Sequence, residues 1–269
     1  MLIITNERVR AFRRKVFRFY RLHGRSLPWR NTTDPYRITV SEIMLQQTQV
    51  GRVIPKYEAW ILRWPNWQTL ATASSRELLS AWSGLGYNRR ALFLGKLAKE
   101  VVGQFEGVLP NQAELLRSLP GIGPYTVNAV LIFAFNKPLV TIDTNIRKVL
   151  MHEFNLRNDV SPDQLRQLAL RVLPKRKSRD WHNALMDYGS LVLPGQIAGI
   201  PPLSRQSRFA GSLRQIRGEI VRQLTVRRAV TIAQITRSLK RTRADVKTAA
   251  AALQKEGVIQ IEREILRLK

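Results

Sequence analysis

The sequence predicts an all-α core followed by a small winged-helix-like domain, and three observations carry that prediction. Apolar residues recur at three and four spacing from residue 6 to about 190, as in Ile54, Tyr57, Trp60 and Ile61, or Leu115, Leu116 and Leu119. Strand-like alternation is scarce over the same stretch. After a break rich in Pro, Gly and Ser, residues 209–269 read as three helices and two short β runs.

The size and charge of the chain bound what this fold can do. With 269 residues, 44% of them hydrophobic, it can bury one full core and a smaller second one. Lys and Arg number 45 against 19 Asp and Glu, and the net +26 would repel itself strongly without a polyanion against it. Nucleic acid is the expected partner and a membrane surface the plainer rival, but no stretch approaches the roughly 20 apolar residues of a spanning helix. The opening residues lack the basic, apolar and small-residue order of a signal peptide, so a cytoplasmic, nucleoid-associated monomer is expected. They read instead as an amphipathic helix with Val9, Phe12, Val16, Phe17 and Tyr20 on one face. The absence of cysteine excludes disulfides and any thiolate-held zinc or iron–sulfur site. With three histidines in all, no metal ligands are assigned and no cofactor is expected.

Helix-breaking residues mark turns at Leu27-Pro28-Trp29, Gly84-Leu85-Gly86, Pro120 to Pro124 and Lys137-Pro138. Residues 1–192 are expected to form one domain, the aperiodic LPGQIAGIPPLSRQSR of 193–208 a linker, and 209–269 a second domain. Helices are expected there at about 212–224, 231–238 and 242–256, followed by Gly257 and short runs at 258–262 and 264–268. Over 204–269, 16 Lys and Arg oppose 5 Asp and Glu, a net +11. Either Arg237, Lys240, Arg241, Arg243 and Lys247 face phosphates, or the domain is a basic three-helix cap that contacts protein.

Three short segments carry chemistry. In Leu119-Pro120-Gly121-Ile122-Gly123-Pro124-Tyr125-Thr126, the glycines would free backbone N–H groups at a helix N-terminus and let a phosphate approach; an ordinary helix–helix turn is the plain alternative. In Val140-Thr141-Ile142-Asp143-Thr144-Asn145, Asp143 is either a simple N-cap or a carboxylate kept ionised by the helix dipole, facing the sugar of an extruded nucleotide. Breaking an N-glycosidic bond builds positive charge on the sugar, and a fixed carboxylate stabilises it. Such cleavage usually needs a second acid or base, and Glu42 is the candidate: its apolar helical neighbours would desolvate the carboxyl and favour its protonated form. Taken alone, a partly buried Glu such as Glu42 is more often a paired structural residue.

Asp34-Pro35-Tyr36, Val40-Ser41-Glu42-Ile43-Met44-Leu45-Gln46-Gln47-Thr48-Gln49-Val50, Leu27-Pro28-Trp29-Arg30 and Gly84-Leu85-Gly86-Tyr87 resemble the corresponding segments of MutY-type adenine DNA glycosylases. So do the Gly121–Gly123 hairpin, Ile142-Asp143-Thr144-Asn145 and Ala184-Leu185-Met186-Asp187-Tyr188-Gly189, in order, over about residues 10 to 192. The resemblance implies a two-lobed helix-hairpin-helix glycosylase core that acts on double-stranded DNA, flipping adenine from a mispair with 8-oxoguanine or guanine. Glu42 would then protonate the adenine, Asp143 would stabilise the oxocarbenium-like sugar, and Tyr125 and Asn145 would orient these carboxylates. Arg30, Gly121, Gly123 and Thr126 would hold DNA. Gln46, Gln47 and Thr48 would wedge into the duplex and touch the opposite purine, with Leu85 and Tyr87 forming a second intercalating loop. Superfamily members that nick the backbone carry Lys where this chain has Tyr125, which implies a monofunctional enzyme that leaves an abasic site.

The chain departs from the family twice. Four cysteines that hold an iron–sulfur cluster would begin at about Leu193, and the cysteine-free linker replaces that loop; 209–269 is too short for the Nudix-like domain that reads 8-oxoguanine. Both losses bear on the opposite-base preference. The alternatives are a thymine glycosylase acting on T·G mispairs, which shares the hairpin and aspartate, and a non-catalytic DNA-binding protein.

Overall fold

The computed structural model describes residues 4–193 and 211–269. The expected 193–208 linker falls outside them, apart from Leu193. Helices follow in the order α1 Asn6–His23, α2 Pro35–Leu45, α3 Val50–Arg63, α4 Trp67–Ala71, α5 Ser75–Trp82, α6 Arg89–Phe105 and α7 Ala113–Ser118. After these come α8 Pro124–Phe133, α9 Thr144–Glu153, α10 Pro162–Val172 and α11 Ser178–Leu191. The C-terminal region holds α12 Leu213–Val226, β1 Val230–Thr231, α13 Ile232–Leu239, α14 Arg243–Lys255, β2 Ile259–Glu262 and β3 Ile265–Leu268. Among the described residues no helix is long and apolar enough to cross a membrane.

The chain divides into two units. The first comprises 1–38, 111–117 and 122–205; the second comprises 39–110, 118–121 and 206–269. The first is built on the apolar faces of α1, α9, α10 and α11, where Val9, Phe12 and Val16 of α1 meet Phe154 and Trp181. The Phe12 ring lies edge-on to Phe154 at 5.1 Å and to Trp181 at 5.5 Å, a preferred aromatic geometry. Gly189 lets α11 approach α9 closely, because a Cβ there would lie 2.8 Å from the Asn145 carbonyl oxygen. The helix that begins at Asp143 therefore rests on a fixed surface.

In the second unit Trp60 of α3 stacks edge-on against Trp82 of α5 at 5.5 Å, and α6 packs on α4 and α5. The C-terminal region belongs to this unit. Its helix α12 packs on α5, and Arg76 donates to the Thr225 and Arg227 carbonyls, 3.1 Å each, and to that of Leu224. Those are the orphan acceptors of a helix end, which a cation suits.

Its three helices fall within a residue or two of expectation, and the hairpin β2–β3 is as expected. The strand β1 is an addition: it pairs antiparallel with β3, Val230 opposite Leu266, and completes a sheet of order β1-β3-β2. Two residues are too few for a local alternation signal, and only the distant partner makes them a strand.

Candidate active site

Asp143 lies in the first unit, extended at φ −88°, ψ −178°, and is the N-cap of α9. Its Oδ1 accepts from the Ile146 backbone N–H at 2.7 Å, and its Oδ2 accepts from the Asn145 side-chain amide at 3.2 Å. The cap and the acidic candidate are thus one residue, and Asn145 orients its carboxylate. The helix end favours the ionised form of Asp143, and burial opposes it. Burial of the carboxyl pushes its pKa up, and this outweighs the amide donors of Ile146 and Asn145 and the charge of Arg25. The residue keeps some exposure, but dense protein around the carboxyl decides the direction.

The segment before Asp143 is held from behind by His182, which is 2% exposed. Its Nδ1 lies 2.7 Å from the Ser178 carbonyl and its Nε2 lies 3.2 Å from the Thr141 N–H, so the neutral tautomer donates at Nδ1 and accepts at Nε2. Asn128 adds a 3.2 Å bond to the Val140 carbonyl. Burial lowers the imidazole to about 4, against about 6.5 in an unfolded chain. A folded pKa below the unfolded one means that His182 contributes full stability above about pH 6.5 and loses it as pH falls toward 4. We expect the melting temperature of the wild type to drop more steeply from pH 6.5 to 4 than that of His182→Gln. The difference in that window should be on the order of 3 kcal/mol.

Glu42 lies in α2, whose start is tied by Asp34 accepting the Tyr36 N–H at 2.9 Å. Ile38, Val40, Ile43 and Met44 are buried, and the helix is enclosed so fully that Thr39, Ser41 and Glu42 are buried as well, Glu42 at 9% exposure. The polar loop after it, Gln46 to Thr48, is held by Arg90 of α6. One guanidinium donates to the carbonyls of Ile43 and Gln46 at 2.7 Å, Met44 and Gly86 at 3.1 Å and Leu85 at 3.3 Å, and to Thr48 Oγ1 at 3.2 Å. Its charge also lies over the rings of Trp82 and Tyr87, at 5.2 and 5.6 Å. Burial lowers the Arg90 pKa to about 10, so the cation persists at neutral pH. Sequence reasoning missed Arg90; an arginine in the first turn of a helix in so basic a chain gives no hint of six acceptors supplied by the end of α2 and two turns.

Both loops carry backbone strain where contact with DNA is expected. Gln47 at φ 53° and Tyr87 at φ 48° occupy the left-handed region, uncommon for residues with a Cβ and frequent at ligand-contacting sites. Tyr87 is 39% exposed. In the hairpin, Gly121 has φ 78°, and a Cβ there would meet the Phe93 Cβ at 2.8 Å. Gly123 is the N-cap of α8, with Pro124 at the first helical position, so the cap itself contributes no side chain at that helix end. Tyr125 follows, 38% exposed.

Three expected DNA contacts are corrected. Arg30 is turned inward: its Nη1 and Nη2 donate to Asp187 at 2.7 and 2.9 Å, and its side chain is 8% exposed. Arg25 completes the pair from its backbone N–H at 2.8 Å and its Nε at 2.7 Å. Burial alone would raise the Asp187 carboxyl, but these donors overcome it and hold the group below the ordinary range. Leu85 and Thr126 are 4% and 2% exposed and pack inside the protein. In the C-terminal region Arg237, Lys240, Arg243 and Lys247 are all exposed, and Arg243 and Lys247 are both paired with Glu264.

The chain thus combines an enclosed helical Glu, an Asp at a helix N-terminus and a glycine hairpin that opens a helix. Residues 40–175 match the HhH-GPD superfamily base excision DNA repair protein family, and the chain belongs to it. It is 37% identical over 218 residues to the adenine DNA glycosylase of Mycolicibacterium smegmatis, covering 73% of this chain and 74% of that protein. Against the adenine DNA glycosylase of Mycobacterium tuberculosis it is 34% identical over 265 residues, 87% of each chain. A solved thermostable thymine-DNA glycosylase superposes with a TM-score of 0.64 at 29% identity, covering 71% of this chain and 90% of that one. The iron–sulfur cluster that the resemblance implies does not fit this chain, which has no cysteine, and the described residues hold no other metal-binding cluster.

Proposed function

We propose that this chain is a monofunctional adenine DNA glycosylase that hydrolyses the N-glycosidic bond of adenine mispaired with 8-oxoguanine or guanine. The observation that carries the reading is 34% identity to an adenine DNA glycosylase over 87% of both chains, with the Glu42 and Asp143 segments in their expected order. Glu42, enclosed in α2, protonates the base and makes it a neutral leaving group. Asp143, fixed by the Ile146 N–H and Asn145, stabilises the positive sugar. Tyr125 and Asn145 orient these groups. The N-terminal amides of α8 beside Gly121 and Gly123 hold a phosphate, and Gln46, Gln47, Thr48 and Tyr87 fill the gap left by the flipped base. The C-terminal region is proposed as a winged-helix-like module whose Arg237 and Lys240 face phosphates. The protein works as a monomer on duplex DNA of the nucleoid.

The fold likeness to a thymine-DNA glycosylase favours one second reading, removal of thymine from T·G mispairs. Base release from duplexes bearing A·8-oxoguanine, A·G and T·G, each with and without alkali, separates the two. Adenine release from the first two, with strand breakage only after alkali, is expected; thymine release alone would replace the reading.

A further inference from the structure

A cavity of about 240 Å³ opens within the second unit, the scale of a single base rather than of an oligonucleotide. Gln46, Gln47, Tyr87, Phe93, Arg89 and Arg90 line it, offering amides, aromatic rings and cations. The seventh lining residue, Glu256, comes from the far end of the chain, and its carboxylate is the only one among the described residues that line the cavity. Arg76 fastens α12 to α5, so the region that supplies Glu256 is anchored to the same unit as the pocket.

Glu256 stands where electrostatics disfavours it. It is the C-cap of α14, and a helix C-terminus suits cations. It also sits in a region of net +11 expected to lie on phosphates, where an acid repels the partner. Arg217 offsets part of this by an ion pair, which leaves the side chain 26% exposed at the cavity. A carboxylate offers only acceptors, and the nucleobase edge that matches it is the one with adjacent N–H donors: N1–H and the N2 amine of guanine. The rings of Tyr87 and Phe93 suit the faces of the same base.

We propose that Glu256 is a specificity-determining residue for the base opposite the excised one, accepting hydrogen bonds from N1–H and the N2 amine of an estranged guanine seated among Gln46, Gln47, Tyr87 and Phe93. The inference rests on the reading of the chain as an adenine glycosylase and gives its C-terminal region a role in choosing the mispair.

The test is single-turnover adenine release from duplexes with adenine opposite guanine or opposite hypoxanthine, which keeps N1–H but lacks the N2 amine. The wild type should release adenine opposite guanine about tenfold faster, as expected for loss of one arm of a two-pronged contact. Glu256→Gln should bring that ratio close to one, whereas Arg217→Leu, which removes the ion pair but not the acceptor, should preserve it. A guanine preference unchanged in Glu256→Gln overturns the proposal, as does equal release opposite both bases by the wild type, a result that requires no variant to fold. Failure to release adenine opposite either base would instead refute the underlying assignment.

Discussion

Adenine release by Glu42→Gln is expected to fall by roughly 10²- to 10⁴-fold, the usual contribution of a positioned general acid. Binding to the mismatched duplex should survive. The amide has the shape of the carboxyl, so the packing of α2 around a 9% exposed side chain is undisturbed, and the net +26 that attracts DNA changes only by the loss of one negative charge. Paired measurements of single-turnover excision and of affinity at fixed salt check both halves. A variant that binds and excises as the wild type does would reduce Glu42 to a structural residue.

The second large effect separates charge from architecture at Asp143. Asn caps a helix about as well as Asp, so Asp143→Asn should keep the bond from the Ile146 N–H that starts α9. Burial raises the folded carboxyl above its unfolded value. The sign follows: ionised Asp143 costs stability at neutral pH, and that cost disappears as pH falls through the folded value. Removing the charge should therefore leave the melting temperature equal or higher, while excision drops by roughly 10²- to 10³-fold through loss of a fixed charge beside the sugar. Asp143→Ala should lose excision and about 1 kcal/mol of stability as well, because the cap goes with it. In the wild type, activity should fade on acidification above the ordinary aspartate value of about 3.9, since the group must be ionised to act. An Asn variant with full activity would reduce Asp143 to its capping role.

Much of this was legible because local pattern and tertiary role coincide. The α1 face of Val9, Phe12 and Val16 is apolar for the reason it is buried, and the C-terminal helices begin at the N-caps Ser212, Thr231 and Thr242, with Gly257 just past the last. The Asp143 segment was legible because one side chain serves both its local cap and its proposed chemistry. What stayed hidden depends on partners far away in sequence. Arg30 reads as a phosphate contact beside a DNA-binding motif, and only Asp187, 157 residues on, turns it inward. His182 reads as an isolated histidine until the Thr141 N–H meets its ring. Leu85 reads as an intercalator because its turn resembles the family's second intercalating loop, although its neighbours Gly84, Gly86 and Tyr87 are the exposed members of that turn.

The Arg90 guanidinium binds the turn after α2 and the Gly84–Tyr87 turn through the same planar group. Neither stretch can therefore withdraw alone without stranding a buried cation, which is a heavy cost in a dry interior. The two behave as the jaws of one rigid fork. Under the proposed reading, a duplex met by one of the two turns is met by the other in the same stroke.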